Sequence, residues 1–374
     1  MAFTERYVRD DAAGGGDGTT NTNSGGTGAW TLAEAISSAT SGMRINMRTG
    51  TYTLAASITL PSGATENPII WQGFNSSIAD LETVGRASPT AALTTANFPV
   101  IDGGASYVVT AGAYNQLRNI KITSAANAYT LIASATATYW RCSFENTHAT
   151  GGAVTALGIG THYIAALDCD CVIASNNASA VVVRAGRASV IGCRIWNSTG
   201  PVSTQRGIHA EDLACAITFN LIFDVGIAIS VAGNTSGIFS NTWYNVVTGI
   251  FINGAFTGAI ANNVGWLHSG YAIRGTTSSG LPLLSNNAFG SHTSGRLDTS
   301  TLGTVIDEIG AITLTADPFT NSGSDDFTLN DISGGGLLCK AASGLWGGHA
   351  DLGAVQTYPV VPIINTRRST LIGR

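Results

Sequence analysis

The stretch "RGIHAEDLA" (206–214) brings Arg206, His209, Glu211 and Asp212 close together in the chain. These four are the candidate catalytic set. Two carboxylates held about 5–9 Å apart can split a glycosidic bond, one as acid and the other as nucleophile or base. A cation beside carboxylates can instead support calcium-assisted lyase chemistry, in which a side chain removes a proton. Opposite charges also recur at matching places nearby, Arg141 with Asp168, Asp170 with Arg194 and Arg184 with Glu211. Such pairs on neighbouring strands equally form an inert cross-strand ladder, each member contributing little when exposed. The other histidines, His148, His162, His268, His292 and His349, share no metal-ligand spacing and read as loop or surface residues. The cysteines form no C-x-x-C arrangement with partner His, so no zinc site, other metal or cofactor is expected.

What could position these residues is written in a repeat. "SNTWYN" (240–245) is answered by "NNVGWL" (262–267). Aligned on that echo, one column reads Ile120, Cys142, Cys169, Cys193, Asn220, Asn241, Asn263, Asn287, in steps of 21 to 27 residues. Two positions on comes Ile122, Phe144, Cys171, Ile195, Ile222, Trp243, Gly265, Phe289. Two columns at period 2 mark a strand with one buried face. A second strand aligns "GIAI" (226–229), "GIFI" (249–252) and "GYAI" (270–273), giving an inward column Val181, Ile208, Ile227, Ile250, Tyr271. Short strands on this period, with no helix between them, fit neither propeller blades nor leucine-rich repeats. They predict a parallel β-solenoid whose coils stack about 4.8 Å apart.

The columns predict an inner structure. An inward amide is costly alone, but stacked in register Asn220, Asn241, Asn263 and Asn287 can donate to one coil and accept from the next. Cys142, Cys169 and Cys193 extend that structural ladder as small buried hydrophobes, with the missing signal segment arguing for free thiols. Three residues past the column stand Trp196, Phe223, Tyr244 and Trp266. Strict alternation turns these rings outward, as a subunit interface or glycan platform; a chain already round its corner stacks them inside.

The opening "RYVRDDAAGGGDGT…AWTLAEAISSATSGMRINMRTGTYTL" and the late "DPFTNSGSDDFTLN…HADLGAVQ" resemble the first and last segments of the pectate-lyase-like superfamily. The resemblance implies an all-β, right-handed parallel β-helix with a short N-terminal capping helix. Thr31 and Glu34 spell that helix's capping box, Leu32, Ala35, Ile36 and Ala39 its apolar face, and Gly42 its end. The expected organisation is an opening loop and helix over 1–50, the β-helix over 51–300, C-terminal coils and cap over 301–358, and an extended arm over 359–374. Arg367, Arg368 and Arg374 of that arm are placed to meet carboxylates of a partner.

Charged residues make up 11% of the chain and the net charge is −5, with no basic stripe, so nucleic acid is not an expected partner. No apolar run reaches membrane-span length. "MAFTERYVRDD" has no apolar core of a secretory signal. The Gly-His-Gly and Arg-x-Lys motifs of the superfamily's polygalacturonases are missing. The main expectation is therefore a non-enzymatic bacteriophage virion protein (spike, fibre or capsid decoration), made in the host cytoplasm. The resemblance to tailspikes implies a homotrimer, in contact with other virion proteins and a cell-surface glycan. The alternative is a polysaccharide lyase or glycoside hydrolase acting on an acidic glycan.

Overall fold

Parallel strands with no helix between them can pair only if the chain returns to the same place once per repeat. The computed structural model shows that return. It describes residues 3–354 except 83–85, 89, 134, 150–153, 161–162, 176–177, 185–186, 212–214, 233–236, 255, 257, 277–282, 303–307, 341 and 343–350. The arm residues Arg367, Arg368 and Arg374, and Asp212, lie outside the described residues. Three parallel sheets wrap one core. The first runs from Thr4–Val8 to Leu283–Ser285, the second from Ile58–Thr59 to Gly295–Leu297, and the third from Thr51–Thr53 to Ile312–Leu314. They have eleven, ten and eleven strands, and every third strand joins the same sheet, as a β-helix requires.

Helix Leu32–Ser38 starts on the expected capping box: Thr31 Oγ1 accepts from Glu34 N, and Glu34 Oε2 accepts from Thr31 N. Its Ala35 and Ala39 are buried in the main core, with Leu32 and Ile36 packed against it. The helix ends earlier than expected. Ala39 is already extended, and Gly42 (φ 82°) instead turns the chain into strand Met43–Arg48.

The predicted columns of the third sheet hold in register, from Ile122 and Phe144 through to Gly265 and Phe289. The inward column of the second sheet needs correction in two coils. It runs Val181, Ile208, Ile229, Ile250, Ile273, so Ile227 and Tyr271 sit two residues too early. The position before each large residue is small in six successive coils: Ala156, Ala180, Gly207, Ala228, Gly249, Ala272. Alanine fills it as well as glycine, so glycine alone misaligned the repeat.

The corner between the first and third sheets takes two residues. The first is left-handed, at Asn119, Arg141, Asp168, Phe219, Ser240, Asn262 and Asn286 (φ 50–60°), with Gly192 in the same place. For non-glycine residues that conformation costs about 1–2 kcal/mol each. The second is the ladder position, and in the coils that carry asparagine the compensation lies there. Asn220 Nδ2 donates to Asn241 Oδ1 (3.0 Å), Asn241 to Asn263 (3.1 Å) and Asn263 to Asn287 (2.9 Å). Each Oδ1 also accepts a backbone N–H from the preceding coil, at Cys193, Asn220, Asn241 and Asn263. At the far end, Asn287 Nδ2 donates to Glu308 Oε1, and Arg296 holds Glu308 and the Asn287 carbonyl. The ladder is closed by charge. Cys142, Cys169 and Cys193 continue it fully buried, and burial pushes the Cys169 and Cys193 thiols well above the usual range, so neither is a nucleophile.

His268 overturns the expectation of a surface residue. It is 1% exposed, its Nε2 accepts from Trp243 Nε1 at 2.6 Å, and its Nδ1 faces the Gly290 carbonyl. Trp243 fits inside because Gly265 follows it in the column: a Cβ there would lie 2.2 Å from the indole nitrogen.

Two measurements test this core. Asn241→Ala strands the amides above and below it and should lower unfolding free energy by about 1–3 kcal/mol per unsatisfied group in denaturant titrations; an unchanged midpoint removes the ladder's energetic role. Burial lowers the His268 pKa to about 3, so the folded ring stays neutral. The unfolded chain takes up a proton below about pH 6.5 and the folded chain does not. Stability is thus full above that pH and falls toward pH 3, by up to about 1.4 kcal/mol per unit from this residue. His268→Gln keeps an acceptor for Trp243, and its stability–pH curve should be flatter than wild type between pH 7 and 5.

Candidate functional site

The charged residues divide into a buried network and an exposed cluster. The network lies where the first and third sheets meet. Arg86, from the loop after strand Ile69–Phe74, bridges Asp168 (2.8 Å) and Asp170 (2.5 Å), and Asp168 also takes Arg141 (3.2 Å). Asp170 receives Leu93 N as well, which ties the same loop down twice. The expected pair Asp170–Arg194 is adjacent in register but not bonded. Asp170 turns to Arg86, and Arg194 turns to Asp325 at 2.8 Å. The sequence analysis missed Arg86 and Asp325 because neither belongs to the repeat.

Arg194–Asp325 belongs to a second core. Trp196, Phe223, Tyr244 and Trp266 do point out of the solenoid, as strict alternation expects, but they form no free platform. The C-terminal segment folds back over them. Trp196 stacks on Phe223 (centroids 5.8 Å, planes 6° apart), Phe223 meets Phe327, and Tyr244 meets Phe319 and Phe327. Leu314, Cys339 and Leu352 complete the cluster, with Trp266 partly buried against it. Burying one such ring contributes about 1.5–3 kcal/mol, and the segment packs against several. The rings therefore hold the segment, and Arg194, lying over Trp196 and Phe223, orients it.

The exposed cluster is built on the outer face of the second sheet. Arg206 and His209 are three residues apart, so simple alternation would put them on opposite faces. Gly207 changes the phase. A Cβ there would meet Ile222 Cγ2 at 2.5 Å and the Ala228 carbonyl at 2.7 Å, so this position, like Ile208, faces inward. Arg206 and His209 consequently share the outer face, with Arg206 NH1 3.3 Å from His209 Nδ1. Glu211, just past the strand, places Oε1 3.4 Å from that nitrogen and Oε2 3.3 Å from Arg184 Nε on the preceding coil. Arg184 also lies over the Tyr129 ring (5.7 Å), which reaches across Gly158, where a Cβ would fall 2.4 Å from it. Sequence reasoning found Arg206, His209, Glu211 and Arg184. It missed Tyr129, whose signal was the glycine facing it one coil on.

Burial, reinforced by Arg206 and Arg184, lowers the His209 pKa to about 4. The imidazole is uncharged at neutral pH, its Nδ1 accepts from Arg206, and its contact with Glu211 is not an ion pair. The arrangement is a neutral proton acceptor flanked by two guanidiniums, with a carboxylate beside the acceptor nitrogen. Among the described residues, no group of three His, Cys, Asp or Glu is placed to hold a metal ion.

The architecture is that of an all-β parallel β-helix. Among solved structures, the chain is similar to that of pectate lyase Pel9A, with a TM-score of 0.65 and 15% identity over 95% of this chain and 97% of that one. That likeness establishes the pectate-lyase-like fold. Looser likenesses are to an alginate lyase from Paenibacillus sp. str. FPU-7 (TM-score 0.41, 12% identity, 75% and 94% covered) and to the PL6 family alginate lyase AlyGC (0.49, 12%, 79% and 40%). No protein-family model and no curated protein matches the chain.

The electrostatics can be checked directly. NMR titration of His209 should give an inflection near pH 4, and Arg206→Met should move it upward toward the ordinary histidine range. An inflection near 6.5 in the wild type means the ring is neither desolvated nor flanked as described.

Proposed function

We propose that the protein binds an acidic polysaccharide on the outer face of its second sheet and cleaves it by β-elimination. The observation that carries this reading is the uncharged His209 held between Arg184 and Arg206. In a uronate chain, the guanidiniums take the carboxylate and make the neighbouring C–H more acidic, as cation clamps do wherever negative charge develops. Arg206 moves from His209 to the substrate, freeing Nδ1. Nδ1 then removes the proton, the electron pair forms a C=C bond, and the C–O bond to the next sugar breaks. The leaving oxygen takes a proton from water. Glu211, beside Nδ1, accepts the new N–H and stabilises the imidazolium. Hydrolysis is the weaker variant of this reading, because it needs a second carboxylate facing Glu211 and the described residues of the cluster supply none.

The second reading is the structural one, a non-enzymatic virion component acting as a homotrimer. It is favoured by the direct pairing of Glu211 with Arg184, which makes the cluster self-satisfied without substrate. The likenesses to solved structures lend the virion role no support.

Incubation with polygalacturonate, alginate and other uronate polymers, followed by ultraviolet absorbance of the unsaturated product, separates the two. Turnover is expected, with a loss of about 10²–10⁴-fold in His209→Ala. A folded wild type inert on every polymer, or a fully active His209→Ala, returns the protein to the structural reading.

A further inference from the structure

A different face of the molecule carries a cation with no anion. Arg118 ends strand Asn115–Arg118 of the first sheet. Among the described residues, its one side-chain hydrogen bond is to Gln116 Oε1 at 2.9 Å, and no carboxylate lies within ion-pair distance. Glu82, the nearby acid, is engaged instead by Gln72 Nε2 (3.1 Å). Burial lowers the Arg118 pKa, so the loss of water around the guanidinium outweighs what Glu82 returns. A partly buried charge with no carboxylate in ion-pair contact is a cost that a bound anion would relieve.

The neighbours in register point to the kind of anion. Across the sheet the outward row runs Asn46, Gln72, Arg118, Trp140. Gln72, beside Arg118, is 1% exposed and turned to Glu82, so it backs the row without reaching its surface. Trp140 is part-exposed, with Arg118 at 5.9 Å from its ring and Arg141 at 4.7 Å. Arg141 is committed to Asp168 and the Glu82 carbonyl, which fixes the indole and leaves Arg118 as the available cation. A guanidinium beside an indole matches a sugar bearing a carboxylate: charge on Arg118, C–H surface on Trp140.

We propose that the outer face of the first sheet, at Arg118 and Trp140, is a non-catalytic subsite for an acidic saccharide, separate from the cluster on the second sheet. It anchors a uronate chain whether or not the second sheet cleaves it.

The test uses the full chain and galacturonate and alginate oligomers in isothermal titration, with melting temperature as the folding control. It is run in a His209→Ala background, so that cleavage does not enter. Arg118→Met, which keeps the packing, and Trp140→Leu should each weaken binding about tenfold, equivalent to about 1.4 kcal/mol. Arg118→Lys, which keeps the charge, should retain most of it, and the Arg118 contribution should shrink as salt rises. Equal affinity in all four proteins, or no binding of either oligomer by the parent, overturns the subsite. Loss in Arg118→Met that Arg118→Lys does not recover, with a matching drop in melting temperature, assigns Arg118 to packing and also overturns it.

Discussion

Everything in this molecule depends on coils stacking in register at the spacing of paired parallel strands, about 4.8 Å. At that spacing each inward side chain meets the residue at the same place one coil away. Polar groups are admissible inside only if such a row can satisfy itself. Asparagine can, because its amide has donors and an acceptor on opposite sides, and the Oδ1 atoms of Asn241, Asn263 and Asn287 each take both a neighbouring amide and a backbone N–H. In the asparagine coils the same bonds offset the left-handed backbone of the two-residue corner. The ladder ends where that supply ends, at a glutamate held by an arginine rather than at another asparagine.

Outside the core the constraint reverses. Outward rows are free to vary, and the chain uses its non-repeating segments to cover some and leave others open. The loop carrying Arg86 is pinned over the corner by two aspartates, and the C-terminal segment seals the aromatic row of the third sheet. The second sheet keeps its outer face open around His209, and the first keeps a part-exposed strip around Trp140. Arginines stand in both places, Arg184 and Arg206 in the one and Arg118 and Arg141 in the other, with Glu211, Asp168 and Glu82 among them. On the proposed reading a polyanion touches both faces, which suits a long chain better than a small molecule.

The chemistry available on the second sheet follows from desolvation more than from pairing. His209 is kept neutral first by burial and then by two arginines. A base in that condition is ready at neutral pH, but only once Arg206 has been drawn away to something more negative than an imidazole. On the proposed lyase reading the substrate's own charge becomes the trigger, which ties that reading to an acidic glycan.

The sequence by itself determined the solenoid, the Asn and Cys ladder, the third-sheet columns and the capping box of the first helix. All of these are contacts between equivalent places in successive coils or within one turn, so periodicity encodes them directly. It also brought Arg206, His209 and Glu211 into one stretch, though not onto one face; that needed the phase change at Gly207, visible only once Ile208 is seen pointing inward with it. The column error at Ile227 and Tyr271 has the same origin, since a small buried residue is set by the space facing it and can be alanine or glycine. What tertiary structure alone decided were contacts between repeating and non-repeating chain. Arg86 claims Asp170, Asp325 claims Arg194, and Leu314, Phe319, Phe327, Cys339 and Leu352 cover the aromatic row. These partners lie 84, 131 and about a hundred residues apart in sequence. No local pattern marks them, because their geometry is fixed by where the rod places its surface and not by the period that builds it.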